Sequence, residues 1–176
     1  MVDLLSLCKE LGFSQVALTN TASVPLCGDF RKYCEQNLCG EYNQNHTCPP
    51  CCGTFESMKK RLLGYDNALF VQSTWTLPDL SDSAALLAAR KRHNEWMLVL
   101  KGVLQAEGIP CLVAGASSCV LCERCAKRDD LPCRNPDLSY SCLSAYCVDV
   151  FALASRLKWD TRYDGQHLTF YGILAY

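Results

Sequence analysis

At 176 residues, with 17 Lys plus Arg against 18 Asp plus Glu and a net charge of -1, the chain is sized for one domain spanning 1–176. It carries no global field that would attract nucleic acid or anionic membranes. Apolar residues at 49% and charged residues at 20% exclude a disordered chain, and the outlier is cysteine, with 14 residues, a density that points to a disulfide or metal scaffold.

The opening Met1-Val2-Asp3-Leu4-Leu5 has no basic stretch, and Asp3, Ser6 and Lys9 interrupt its apolar residues, so it does not read as a secretory signal. No run approaches the roughly 18 apolar residues of a bilayer span. The expectation is a cytoplasmic protein, in which a reducing environment favours thiolate ligands over disulfides.

The first expected helix covers Asp3 to Leu11, with Leu4, Leu7, Cys8 and Leu11 on one face and Gly12 as its stop. Ser14 to Thr19 reads as a short strand. A cysteine-rich loop occupies about 27–52, after which Thr54 caps a helix over Phe55 to Leu63. Asn67 to Thr76 is a β-branched and aromatic strand. The longest helix runs from Ser81 to about Glu107, with Leu86, Ala89, His93, Trp96, Met97, Leu100, Val103 and Leu104 facing inward and Arg90-Lys91-Arg92 facing solvent.

Cys111 to Ala114 is a third strand, and a second cysteine-rich loop fills about 117–140. Ser141 to Leu157 reads as a helix with Leu143, Cys147, Val150, Ala154 and Leu157 aligned. Leu168 to Tyr176 is a last strand entered through an Asp164-Gly165 turn. The expected fold is an α/β or α+β sandwich: a sheet of about four strands with packed helices and two cysteine-rich loops.

The sharpest chemical signal is Cys119-x2-Cys122-x2-Cys125-x7-Cys133-Arg134-Asn135-Pro136. Three cysteines at intervals of three cannot all point one way from a regular helix, whereas a loop wrapped around an iron–sulfur cubane can aim all three at it. Closing the set with Cys133 gives four thiolates for a [4Fe-4S] cluster, with tetrahedral zinc as the competing cofactor. The second constellation is Cys34-x4-Cys39-x8-Cys48-Pro49-Pro50-Cys51-Cys52. Cys34, Cys39 and Cys48 form its core, and Cys27, Cys51, Cys52 or His46 could complete it. With no fourth protein ligand, one iron would stay open to a small molecule.

These two segments resemble the predicted metal-binding proteins grouped as domain of unknown function 2284, found largely in anaerobic bacteria and archaea. The resemblance rests on Cys34, Cys39, Tyr42 and Cys48-Pro49-Pro50, and on Cys119, Cys122, Cys125 and Pro132-Cys133-Arg134-Asn135-Pro136. It implies iron–sulfur or other metal binding and no particular activity. The chain departs from the family pattern in the wider Cys34 to Cys39 spacing, in Ser118 before the triple, and in Ser141-Cys142-Leu143.

Among the other cysteines, Cys8, Cys111 and Cys147 read as small buried hydrophobes. Cys142 falls at an expected helix start, where a thiolate or cluster would be favoured. His93 reads as a hydrogen-bonded core histidine. Arg134 is placed to donate to a cluster sulfide, to hold a carboxylate on its loop, or to face solvent. Phosphate-binding glycine loops, GxSxG and HExxH are absent. The expectation is an electron-transfer component or small oxidoreductase with a redox protein partner; the alternatives are a zinc-stabilised binding module and an enzyme with an open iron at the 34–48 loop.

Overall fold

In a computed structural model, residues 2–161, 165 and 167–176 are described. Asp164 of the expected turn lies outside them. Five strands form one mixed sheet in the order β1-β2-β5-β3-β4: β1 Gln15–Asn20, β2 Asn67–Thr76, β3 Leu112–Gly115, β4 Ser141–Cys142 and β5 His167–Ala175. The sheet has one strand more than the sequence suggests. The extra strand is β4, two residues long, which pairs parallel to β3 through Ala114 with Ser141 and Gly115 with Cys142. All other pairings are antiparallel.

Helices cover both faces, as in an α/β sandwich. α1 (Leu4–Leu11) and α4 (Ser83–Ala106) pack on one face over Leu69, Val71, Val113 and Leu174. α3 (Phe55–Leu62) and α5 (Val150–Arg156) pack on the other over Ala68, Phe70, Ala114 and Ile173. Neighbouring strand residues thus fall into different cores, as the twofold strand period requires. The Phe70 ring is stacked between Trp159 at 4.8 Å and Tyr171 at 5.6 Å, which anchors the end of α5.

Local signals set the helix ends. Asp3, Thr54, Asp82 and Asp149 each accept backbone N–H groups at an N-terminus, and Gly12 closes α1 in the left-handed conformation at φ 110°. The expected helix over Ser141 to Leu157 is corrected to a strand, a run of turns and the short α5. Cys147 takes φ 56°, which no helix interior permits. Among the described residues no helix is long and apolar enough to cross a membrane.

Candidate metal centres

The loop at 27–52 is tied down at its base. Leu26 bridges Val148, Cys27 N–H donates to the Cys147 carbonyl at 2.9 Å, and Asp149 N–H to the Pro25 carbonyl at 2.8 Å. The chain then enters α2 (Arg31–Glu35), which carries Cys34. Asn37, Gly40 and Asn43, all at positive φ, reverse the chain. Asn37 Oδ1 accepts the Tyr42 N–H at 3.0 Å, and Asn43 N–H donates to the Pro49 carbonyl at 2.8 Å, folding Cys39 and Cys48 back towards Cys34.

Cys34, Cys39 and Cys48 line one cavity of about 140 Å³ together with a fourth thiol, Cys142 of β4. None of the candidates named from spacing lines it: Cys51 and Cys52 face a different cavity, His46 lines that one and the second thiol cavity, and Cys27 lies at the loop base. Sequence reasoning placed Cys142 on a helix; β3 instead delivers it through strand pairing, a signal that spacing within the loop does not contain. Cys142 is buried, which pushes its thiol up to about 11, and the Ala145 N–H donating to its Sγ at 3.3 Å works against that shift. Burial likewise raises the Cys48 and Cys34 thiols.

Arg31 stands beside this group. Its Nη2 donates to the Ala145 carbonyl at 3.0 Å, Nη1 lies 4.0 Å from Cys52 Sγ, and Nε is buried without a hydrogen-bond partner among the described residues. Its charge opposes the burial that raises the thiols of Cys34, Cys52 and Cys147. Among the described residues it has no carboxylate in ion-pair contact.

The second loop brings Cys119, Cys122, Cys125 and Cys133 around another cavity, narrower at about 20 Å³. A 3-10 turn, Ala126–Asp129, follows Cys125 and stops at Asp130, φ 54°. Arg124 and Asp129 form an ion pair across this turn, and Arg134 Nη1 donates to the Arg124 carbonyl at 2.9 Å. Arg134 is exposed, one of the three roles open to it, and its bond to the Arg124 backbone is a fourth that the sequence did not suggest. Asn135 Nδ2 donates to Cys122 Sγ at 3.4 Å. Burial raises the Cys119 thiol, offset by the backbones of Leu121 and Tyr140.

The two loops interlock. Asn45, His46 and Thr47 of the first wall the second cavity, while Ser117 and Ser118 of the second wall the first. Buried Asn45 donates through Nδ2 to the Cys119 carbonyl and to Glu41, both at 3.2 Å. Arg128 pairs with Glu41 at 2.9 Å, and His46 Nε2 meets the Leu131 carbonyl at 2.8 Å. The base of the second loop is clamped by Asn94 of α4, which exchanges two 2.9 Å hydrogen bonds with the Ala116 backbone. Gly115 admits this clamp: a Cβ there would lie 2.5 Å from Asn94 Oδ1 and 2.8 Å from Tyr140.

Other expectations sort themselves. Cys8 and Cys147 are fully buried, and burial raises the Cys8 thiol to about 12. Cys111 precedes β3 and is half-buried. His93 is fully buried, its Nδ1 2.7 Å from Ser73 Oγ, and burial lowers its pKa to about 4. Lys91 and Arg92 face solvent, but Arg90 is half-buried and donates to Ser117 Oγ at 2.9 Å.

The donor set of both cavities suits a soft metal: four thiols each, with no carboxylate among the described residues of either wall. Among the described residues no three His, Cys, Asp or Glu converge as on a single ion. The thiols surround space instead of meeting at a point. Compared with known sequences, residues 17–175 match the family model described as predicted metal-binding protein, domain of unknown function 2284. The chain belongs to that family. No curated protein and no solved structure matches it.

Proposed function

For this member of a predicted metal-binding family, we propose an iron–sulfur protein that carries two [4Fe-4S] clusters and serves electron transfer with a redox protein partner. One cluster is assigned to Cys34, Cys39, Cys48 and Cys142, the other to Cys119, Cys122, Cys125 and Cys133. A bound cubane supplies one-electron exchange at a potential tuned by its ligands, hydrogen bonds to sulfur and solvent exposure. The observation that carries this reading is the pair of interlocked cavities, each lined by four thiols.

The chain's own residues support that use. The Ala145 N–H at Cys142 and the Asn135 amide at Cys122 stabilise negative charge on sulfur. The Arg31 guanidinium, with no ion-pair partner among the described residues, compensates charge at the first site. A fourth thiol, Cys142, on the wall of that cavity supports a fully ligated cluster over an open iron, and so electron carriage over substrate chemistry.

The competing reading is a single zinc held by Cys119, Cys122, Cys125 and Cys133 to fold the loop; it requires these thiols to close in on one point around their narrow cavity. Iron, acid-labile sulfide and zinc, measured with the visible spectrum on protein purified without oxygen, decide between them. About eight irons and eight sulfides per chain, as two cubanes contain, is the expected result. Four irons with one zinc assigns the second loop a structural metal, and zinc alone overturns the redox reading.

A further inference from the structure

A third cavity, of about 370 Å³, lies at the edge of the sheet beside the one lined by Cys119, Cys122, Cys125 and Cys133. β3 is paired along one side by β5 through Leu112 and Val113, but on its other side β4 pairs only from Ala114 onward. The start of β3 and the segment 139–141 therefore diverge, and the space between them opens to both faces of the sheet. α3 contributes Arg61 from one face and α4 contributes Lys101 from the other. His46, Tyr65, Tyr140 and Tyr146 add to the polar wall, and among the described residues no Asp or Glu lines it.

We propose that this cavity binds a small organic anion whose carboxylate or phosphate group is held by Arg61 and Lys101. The volume falls within the range of small-molecule sites. Arg61 spends one Nη2 bond on the Cys52 carbonyl at 3.2 Å, and its guanidinium also meets the Tyr146 side chain. Lys101 Nζ donates to the Asp137 carbonyl. Neither cation has an ion-pair partner among the described residues. Both keep donors for an anion: a guanidinium has five in a planar fork, and an ammonium has three. Two unneutralised cations from opposite sheet faces, with a tyrosine- and histidine-lined wall and no carboxylate, select negative charge.

The position gives the site a use. His46, Thr47 and Ser139 line both this cavity and the one around Cys119, Cys122, Cys125 and Cys133, and Ser141 leads directly into Cys142. An occupant would lie against the walls of the metal loops. Binding itself does not depend on which metal they hold.

The test is calorimetric titration of inorganic phosphate, and separately of succinate, into the metal-loaded protein, with metal content measured on every sample. The expected result is saturable one-to-one binding of at least one probe. Arg61→Gln and Lys101→Gln should each weaken it about tenfold or more, the usual cost of losing a charged hydrogen bond, while Lys91→Gln on the solvent side of α4 leaves it unchanged. Binding of phosphate alone assigns a phosphate-bearing ligand, and of succinate alone a carboxylate. If a Gln variant loses metal, Arg61→Lys, which keeps the charge, decides: retained metal with weakened binding supports the site. No binding of either probe at millimolar concentration, or binding indifferent to both Gln substitutions, overturns the proposal. Metal content then still reports on the cluster assignment independently.

Discussion

Asn45 Nδ2 donates to the Cys119 carbonyl, 74 residues along the chain, at 3.2 Å and so joins the two cysteine loops. The same amide nitrogen reaches Glu41, and Asn45 Oδ1 accepts both the N–H and the hydroxyl of Thr47, so one buried side chain sets the shape of the first loop and its grip on the second. Asn45→Ala leaves the buried Thr47 and the half-buried Glu41 and Cys119 carbonyl without this partner and is expected to cost about 2–4 kcal/mol. Thermal unfolding should fall, and metal should be lost faster from both loops under chelator challenge; loss from one loop alone would show that they are not coupled through Asn45.

Cys142→Ala is expected to remove about half of the bound metal, because one of two four-thiol sets loses a member. Cys122→Ser should remove the other half. Cys27→Ser and Cys51→Ser, at thiols that line neither cavity, should leave metal content unchanged. Retention of full metal by Cys142→Ala would return the first site to three cysteine ligands.

Arg31→Met removes the positive charge beside the first thiol set. With a cluster in place, its reduced form loses a compensating charge and the midpoint potential moves negative, by roughly 1–2 kcal/mol or on the order of 50 mV. A redox titration followed by electron paramagnetic resonance measures this. A signal from the 119–133 site serves as the internal reference and should move much less.

His93 gives a pH dependence with a defined sign. Its folded pKa of about 4 lies below the usual 6.5, so the native state keeps the ring neutral where the unfolded chain takes up a proton. The stability contribution is full above pH 6.5 and is lost as pH falls from 6.5 to 4, by about 3 kcal/mol at the acid end. Urea unfolding at several pH values should show this loss, and His93→Gln should flatten the slope across the same window.

Gly115→Ala and Asn94→Ala test the clamp under the second loop. The glycine substitution forces a Cβ against Asn94 and Tyr140, and the asparagine substitution orphans the Ala116 N–H and carbonyl. Each is expected to cost about 2–4 kcal/mol. Denaturant midpoints measure the loss. Equal losses in the single variants and in the double variant would identify them as one unit.

The sequence by itself determined most of the helices and strands and the cysteine-rich, metal-binding character of the chain. Leucine spacing and caps gave α1, α3 and α4, β-branched runs gave β2 and β5, and the tight spacing of Cys119, Cys122 and Cys125 marked a loop built around a shared centre, because all these features are local in the chain. The family membership was legible for the same reason, through short motifs at Cys34 to Pro50 and Cys119 to Pro136. The tertiary structure alone decided which distant groups meet. Cys142 faces Cys34, Cys39 and Cys48 because two residues of β4 pair with β3, and a helical pattern over Ser141 to Leu157 hid that strand. Asn45 and Arg31 carry no motif. Their importance comes from where folded backbone leaves a carbonyl or a group of thiols, and the cavity lined by Arg61 and Lys101 lies where β4 is too short to pair with the start of β3.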